Sequence, residues 1–338
     1  TDALGAVGTT YSLNFLILGF VLGSCTGFGI PVAQSFGARD SEDMHKYLFN
    51  GAVLCVVLSV VFTIVTTLTA APLLQLIHTP AELFPDAVAY IRIIFLGIPA
   101  TVLFNYTSTV LHSLGDSQHP FYFLLISSFL NIGLDWLFIV PLGMGVEGAA
   151  IATVIARYIE AIYLILHTHR REKTFIFAQG LYKSLYLPGA VVKKILITGT
   201  PLMLNELFWS IGTTMISQSY STRGLTVVAA TNIAGTVWNL FCVIMFAMGN
   251  AVSIIIGQQL GAGEIEEAKR TDNKLLFFTV VLHIGVGALI AITAPFIPLI
   301  YNTTPEVQRL TTELLLVAGA ALPIQAFAHV CLLYTSPS

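Results

Sequence analysis

The sequence predicts an all-α, polytopic membrane protein built from two repeated groups of helices. Hydrophobic residues make up 56% of the 338 residues, charged residues only 10%, and the mean hydropathy is +0.83. A soluble globular domain carries about 25% charged residues, so this composition excludes an ordinary soluble domain. The apolar residues form long runs without strict alternation, which favours helices over a transmembrane β-barrel.

Nine apolar runs are long enough to cross a bilayer, for which a helix needs about 20 residues. Pro99 and Pro323 lie in the middle of the third and ninth runs, where a proline removes a backbone hydrogen bond. We predict a kink at each, which serves either as a gating hinge or as a fixed bend. The predicted spans are Leu4–Pro31, Leu48–Ile77, Ala87–His112, Phe121–Leu142, Val146–His167, Ile195–Tyr220, Val227–Ile256, Leu275–Tyr301 and Leu314–Leu333.

Basic residues are concentrated in alternate connections between the spans. The connections after the first, fifth and seventh spans hold most of the 15 Lys and Arg residues. The positive-inside rule places these connections in the cytoplasm, which puts Thr1 on the outer side of a cytoplasmic (inner) membrane. Four cysteines at unrelated spacings predict neither a disulfide framework nor a metal site.

The two halves of the chain repeat at an offset of 224 positions. An offset that holds over 70 residues indicates a duplicated structural unit. Six spans separate each span from its copy, so the two halves run in the same direction, as in the parallel repeats of some transporters. The matching pairs are Gln34 and Gln258, Gly37 and Gly261, Ala38 and Ala262, Glu42 and Glu266, Glu82 and Glu306, and Pro99 and Pro323.

The repeat divides the chain into an N-terminal lobe (1–169), a basic cytoplasmic linker (170–194) and a C-terminal lobe (195–330). The sixth span should have a counterpart before Thr1, and the fourth and fifth spans should have counterparts after Ser338. We therefore expect a twelve-span parent, truncated at both ends, of which this chain holds the second to tenth helices. Residues 331–338 do not match their repeat positions and are expected to be a non-native tail.

The chain resembles the multidrug and toxic-compound extrusion (MATE) transporters over nearly all of Thr1–Ala328. The resemblance rests on the Gln-x-x-Gly-Ala turns at Gln34–Ala38 and Gln258–Ala262, on Pro99, on the LHSLGDSQHP turn and on the NIGLD segment. It implies a two-lobed antiporter that exports amphipathic, cationic organic compounds in exchange for sodium or protons. A flippase for lipid-linked precursors shares this architecture and is the main alternative. An integral-membrane enzyme is less favoured, because no polar catalytic cluster is visible.

Asn131 and Asp135 are the first candidates for the coupling site. They lie four residues apart in the fourth span and therefore share a helix face. An aspartate at mid-membrane costs about 2.5–3.5 kcal/mol, so such residues usually face a cavity and a partner. With Thr153 they offer the oxygen ligands that a hard cation prefers. The resemblance implies the same assignment, and a purely structural polar clamp between helices is the alternative.

A second intramembrane acid, Glu206, is predicted to line the substrate cavity. Met203 and Trp209 share its helix face, and a carboxylate beside an indole suits an organic cation. On the seventh span we expect Asn232, Trp238 and Asn239 to line the same cavity. The alternative is that Glu206 is protonated or paired and that the aromatic residues are core.

The predicted partners are small organic cations and membrane lipids. We expect no nucleic acid, no cofactor beyond sodium or a proton as coupling ion, no bound metal centre and a monomeric protein. Arg157 and Glu160 lie three residues apart in the fifth span, and we interpret them as a local ion pair that masks both charges.

Overall fold

The computed structural model describes residues 2–77, 79–170, 188–301 and 303–335, and this part of the chain contains helices and no strands. Its elements are α1 (Asp2–Gly37), α2 (Ser41–Leu76), α3 (Phe84–Leu96), α4 (Ile98–Ser113), α5 (Gln118–Ile139), α6 (Gly145–Arg170), α7 (Gly189–Ser221), α8 (Leu225–Gly261), α9 (Ile265–Thr293), a 3-10 helix (Ile297–Ile300) and α10 (Pro305–Thr335). The all-α prediction is confirmed.

Each predicted span corresponds to one helix, with two exceptions: the third is divided between α3 and α4, and the eighth runs from α9 through the 3-10 helix. Among the described residues, seven helices are long and apolar enough to cross a membrane, and the α3–α4 pair makes an eighth span. The sixth predicted span, α7, is a continuous helix of 33 residues but is not in that set. It carries polar groups in its middle, including Asn205 and Glu206. The chain is thus a multi-pass membrane protein.

The helices form two compact units, Thr1–Ser210 and Ile211–Ser338. The first unit has a continuous apolar core to which α1, α2, α3, α4 and α6 contribute, and Ile195 of α7 joins it. In the second unit α8, α9 and α10 pack against one another. The boundary between the units falls inside α7 rather than in the 170–194 connection, most of which lies outside the described residues. The predicted division into lobes therefore stays a prediction.

The internal repeat is visible in the ends of the helices. Helix α1 ends at Gly37 and its copy α8 ends at Gly261. Helix α2 begins at Ser41 and its copy α9 begins at Ile265, so both boundaries keep the 224-residue offset. The backbone hydrogen bonds of the two turns correspond one to one at 2.9–3.1 Å. The pairs are Ala38 to Gln34 and Ala262 to Gln258, Arg39 to Phe36 and Gly263 to Leu260, and Asp40 to Ser35 and Glu264 to Gln259.

The left-handed position of these matched turns is occupied by arginine in one copy and by glycine in the other. Arg39 has φ 55° and its counterpart Gly263 has φ 77°, so both occupy the left-handed region, in which glycine alone pays no steric cost. The side chain of Arg39 is exposed. Both turns therefore have the same left-handed backbone conformation, which glycine adopts at lower steric cost than arginine.

We expect Arg39→Gly to stabilise the chain by about 0.5–1 kcal/mol, since it removes the contact between Cβ and backbone in the left-handed conformation. Thermal unfolding in detergent measures the effect. The control is Ala38→Gly in the same turn, which should destabilise the chain slightly because it only adds backbone entropy to the unfolded state. Equal destabilisation by both changes would mean that the Arg39 side chain makes a stabilising interaction.

Candidate functional site

The α5–α6 pair positions the predicted coupling residues. The hydroxyl of Ser127 on α5 donates a hydrogen bond to the backbone carbonyl of Ala156 on α6, at 3.1 Å. Nearer the other end of the pair, Gly148 lets α6 approach α5, because a Cβ there would lie 3.1 Å from Cβ of Phe138. The two helices run antiparallel after their short connection. One turn beyond Ser127, Asn131 is therefore level with the region of Thr153, and Asp135 lies one turn further outward.

Asp135 and Asn131 each have a buried polar atom without a hydrogen-bond partner among the described residues. These atoms are Oδ1 of Asp135 and Nδ2 of Asn131, although both side chains are only half-buried as a whole. A buried polar atom without a partner costs about 1–3 kcal/mol. A polar clamp between helices would have satisfied these atoms. The free oxygen of Asp135 instead fits a site that is completed by a bound cation, a proton or water. Nδ2 of Asn131 is a donor, so it needs an acceptor such as water or a turned amide group.

Thr153 keeps acceptor capacity for such a ligand. Its hydroxyl donates to the backbone carbonyl of Ala149 at 3.0 Å, which uses its proton and leaves its lone pairs available. The amide oxygen of Asn131 would face the same region after a half-turn of the amide group, whose two ends are distinguished only by their hydrogen bonds. The three side chains thus offer a carboxylate, an amide oxygen and a hydroxyl oxygen, which suit sodium as well as a proton.

Tyr90 on α3 is a neighbour of the site that the sequence did not indicate. It is close enough to Asp135 for the two groups to interact electrostatically. Its phenol can donate a hydrogen bond to a carboxylate. Nothing in the local pattern of α3 marks Tyr90, since its proximity to α5 arises only from the packing of the helices.

The two predicted hinge prolines have different structural effects. At Pro99 the span is divided, because α3 ends at Leu96, α4 begins at Ile98, and the two helices meet at an angle of 42°. The carbonyl of Leu96, at the end of α3, accepts a hydrogen bond from the hydroxyl of Tyr158 on α6 at 2.9 Å. Pro323 lies inside the continuous helix α10. The break at Pro99 agrees with the predicted kink, and a gating role for either proline stays a prediction.

Glu206 packs against α1 within the first unit. A Cβ at Gly23 would lie 2.9 Å from Cγ of Glu206, so the carboxylate stem occupies the space that this glycine leaves. Four residues along α1, a Cβ at Gly27 would lie 2.6 Å from Cα of Gly199. The glycines of α1 thus let α7 approach closely.

The other predicted cavity residues are divided between the two units. Met203 packs against the core of the first unit, and Trp209 is 47% exposed. In the second unit Trp238 packs against the apolar clusters around Val237 and Cys242. Asn232 and Asn239 are exposed on α8. A common cavity lined by these side chains stays a prediction.

In the described part of the chain, no group of three or more His, Cys, Asp and Glu residues is arranged to hold a metal ion. The four cysteines form no disulfide with one another.

Comparisons with known proteins agree with this architecture. A family model described as MatE matches residues 1–137 and 201–333. The probable multidrug resistance protein YoeA of Bacillus subtilis is 26% identical over 337 residues, which cover 97% of this chain and 70% of that protein. The FAD transporter of Shewanella oneidensis is 22% identical over 328 residues, which cover 95% of this chain and 71% of that protein.

A solved structure has the same fold. The crystal structure of MATE in the bent conformation matches with a TM-score of 0.85 at 23% identity, covering all of this chain and 76% of that one. The matched relatives are transporters, which confirms the prediction that the chain is not an enzyme. The chain spans about seven tenths of the length of the two relatives named above.

Proposed function

This chain belongs to the MatE family of membrane transporters, and we propose that it serves a secondary active antiporter. The transporter exports amphipathic, cationic organic compounds across the cytoplasmic membrane in exchange for sodium or protons. The chain acts as a monomer, with lipid around it and with the coupling ion as its only cofactor.

The observation that carries this proposal is the pair of unpartnered polar atoms on α5. Oδ1 of Asp135 and Nδ2 of Asn131 are buried and lack hydrogen bonds in the described part of the chain. A bare carboxylate inside a membrane must be neutralised by a cation or by a proton. These are two competing ways to satisfy one group, and such competition is what ion-driven exchange requires.

Glu206 supports the cationic nature of the exported compound. It is an acidic side chain in the middle of the predicted sixth span, α7, and no described ion pair involves it. A cationic compound would supply the missing counter-charge, and the exposed indole of Trp209, three residues further along α7, could contribute a cation–π contact. The transporter named for FAD shows that relatives differ in cargo, so the substrate class rests on Glu206 rather than on the family.

We expect sodium to stabilise the purified chain in lipid nanodiscs, because a ligand that binds only the folded state raises its stability. At a sodium concentration of 100 times Kd the gain is about 2.7 kcal/mol. Thermal unfolding with sodium, against choline at equal ionic strength, measures this gain. The gain should shrink at acidic pH, where protons occupy the same carboxylate.

Two other outcomes are informative. Stabilisation by acid alone, without any sodium effect, would assign the site to protons. If neither sodium nor pH changed the unfolding temperature, the chain would lack a coupling site and the proposal would fail.

A further inference from the structure

Glu160 on α6 is a buried carboxylate that the proposed coupling site does not use. Its side chain is 0% exposed, and Oε2 accepts a hydrogen bond from Nη1 of Arg157 at 2.8 Å. Its other oxygen, Oε1, is buried and has no partner among the described residues. The expected ion pair is therefore present, but it satisfies only half of the carboxylate.

Arg157 is less constrained than its partner. Its side chain is 41% exposed, and it holds Glu160 through one guanidinium nitrogen in the recorded contact. A bidentate arginine–carboxylate pair would engage both oxygens and would be stronger. The guanidinium thus has room to move away from Glu160.

Thr153, Arg157 and Glu160 occupy one face of α6. Their spacing of four and then three residues places them on one stripe about 10 Å long, with Arg157 in the middle. Thr153 is level with the Asn131 turn of α5, whereas Glu160 lies further toward the C-terminal end of α6. That end leads into the basic connection, so Glu160 is on the cytoplasmic side of Asp135.

Glu160 has no other described charged partner. The helices that pack against α6 are α1, α3, α4 and α5. In the described part of the chain, none of their titratable or charged groups forms an ion pair with Glu160; Arg157 alone does. Those groups are Tyr11 and Cys25 on α1, Asp86, Tyr90 and Arg92 on α3, Tyr106 and His112 on α4, and His119, Tyr122 and Asp135 on α5.

A carboxylate in this position has two ways to avoid a bare buried charge: it keeps Arg157, or it takes up a proton on Oε1. We propose that Glu160 is a second proton-binding carboxyl group of this chain, which Arg157 switches between an ion-paired and a protonated form. When Arg157 turns toward the Asn131 turn, a proton from cytoplasmic water binds Oε1 and Glu160 becomes neutral. When Arg157 returns, that proton is released and the arginine stays charged throughout.

Infrared difference spectroscopy tests the proposal without requiring transport. The purified chain in lipid nanodiscs is titrated with acid, and the carbonyl stretch of protonated carboxylic acids is followed. We expect a titrating band that Glu160→Gln removes and that Glu147→Gln retains. Glu147 is a matched control because it is an exposed glutamate on the same helix. Circular dichroism of each variant checks that the helices are intact.

Changes at Arg157 and Asp135 give a second, independent readout. At a fixed pH the Glu160 band should grow in Arg157→Gln, which removes the favourable positive charge, and should resemble the parent in Arg157→Lys. Asp135→Asn should leave the Glu160 band in place. An acid titration in which Glu160→Gln and the parent give the same spectra would overturn the proposal and leave a static ion pair.

The protonation of Glu160 depends on the proposed function only for its role in ion coupling. The experiment can therefore contradict either proposal without contradicting the other. If sodium had no effect on any band while the Glu160 band were present, cation coupling at Asp135 would fall and the protonation of Glu160 would stand. If sodium removed an Asp135 band and no Glu160 band existed, the reverse would hold.

Discussion

Replacing Gly287 by leucine should destabilise the second unit by about 3 kcal/mol, near the upper end of the usual cost of overpacking. A Cβ at this position of α9 would lie 2.3 Å from the backbone carbonyl oxygen of Gly319 on α10, a distance that requires the backbone to move. The carbonyl of Gly319 also lacks its usual helical hydrogen bond, because Pro323, four residues later, has no N–H to donate. The carbonyl instead lies against the α-carbon region of Gly287, in the manner of weak Cα–H···O contacts between helices.

The matched control for this prediction is Gly285→Leu on the same helix. A Cβ at Gly285 has nothing within 4 Å, so the same change in helix propensity and hydrophobicity occurs there without a clash. Thermal unfolding in detergent and the yield of folded protein measure both variants. If the two variants lost equal stability, the helix contact would not be the cause.

Asp135→Asn should abolish the stabilisation by sodium while leaving the helices folded and inserted. In vesicles that contain the transporter, it should also remove export driven by an ion gradient. The amide is nearly the same size as the carboxylate but carries no charge, so it neither needs nor attracts a cation. Because Asp135 contributes an unpartnered atom rather than a core contact, the fold itself loses little by the change.

Glu147→Gln provides the control, since it removes a carboxylate from an exposed position at the start of α6. It should bind sodium as the parent does. Export that still followed the imposed gradient in the Asp135→Asn variant would exclude Asp135 from the mechanism. Loss of folded protein in that variant would instead assign Asp135 to the stability of the α5–α6 pair.

Much of the fold could be predicted because a membrane helix is encoded by one simple property, a long apolar run. The turns between α1 and α2 and between α8 and α9 were also predicted, from the repeated Gln-x-x-Gly-Ala pattern. The helices themselves extend beyond the predicted spans at these turns, to Gly37 and Gly261. The different shapes at Pro99 and Pro323 could not be predicted from the prolines alone. Two residues before the proline, the third span has Gly97, whereas the ninth span has Ala321. Gly97 forms the junction between α3 and α4, whereas Ala321 continues a helix.

The candidate site was predictable only where its residues lie on one helix. The spacing of Asn131 and Asp135 places them on one face of α5, and the structure leaves both with unpartnered buried atoms. Tyr90 could not be found in this way, because its interaction with Asp135 crosses from one helix to another. The close approach of Glu206 to Gly23 has the same origin. Contacts between helices depend on packing angles that no single run of residues encodes.

The bend between α3 and α4 makes the two copies of the duplicated unit mechanically unequal. One copy has a third span that is broken between α3 and α4, and the hydroxyl of Tyr158 on α6 donates a hydrogen bond to the carbonyl of Leu96 at this break. The other copy has one continuous helix in the same place, α10. The first copy therefore has a break between helices at which it can bend, whereas the corresponding stretch of the other copy lies within a single helix. Tyr158 follows Arg157 directly and lies two residues before Glu160. A change in the angle between α3 and α4 would therefore displace Tyr158, which is next to the buried ion pair.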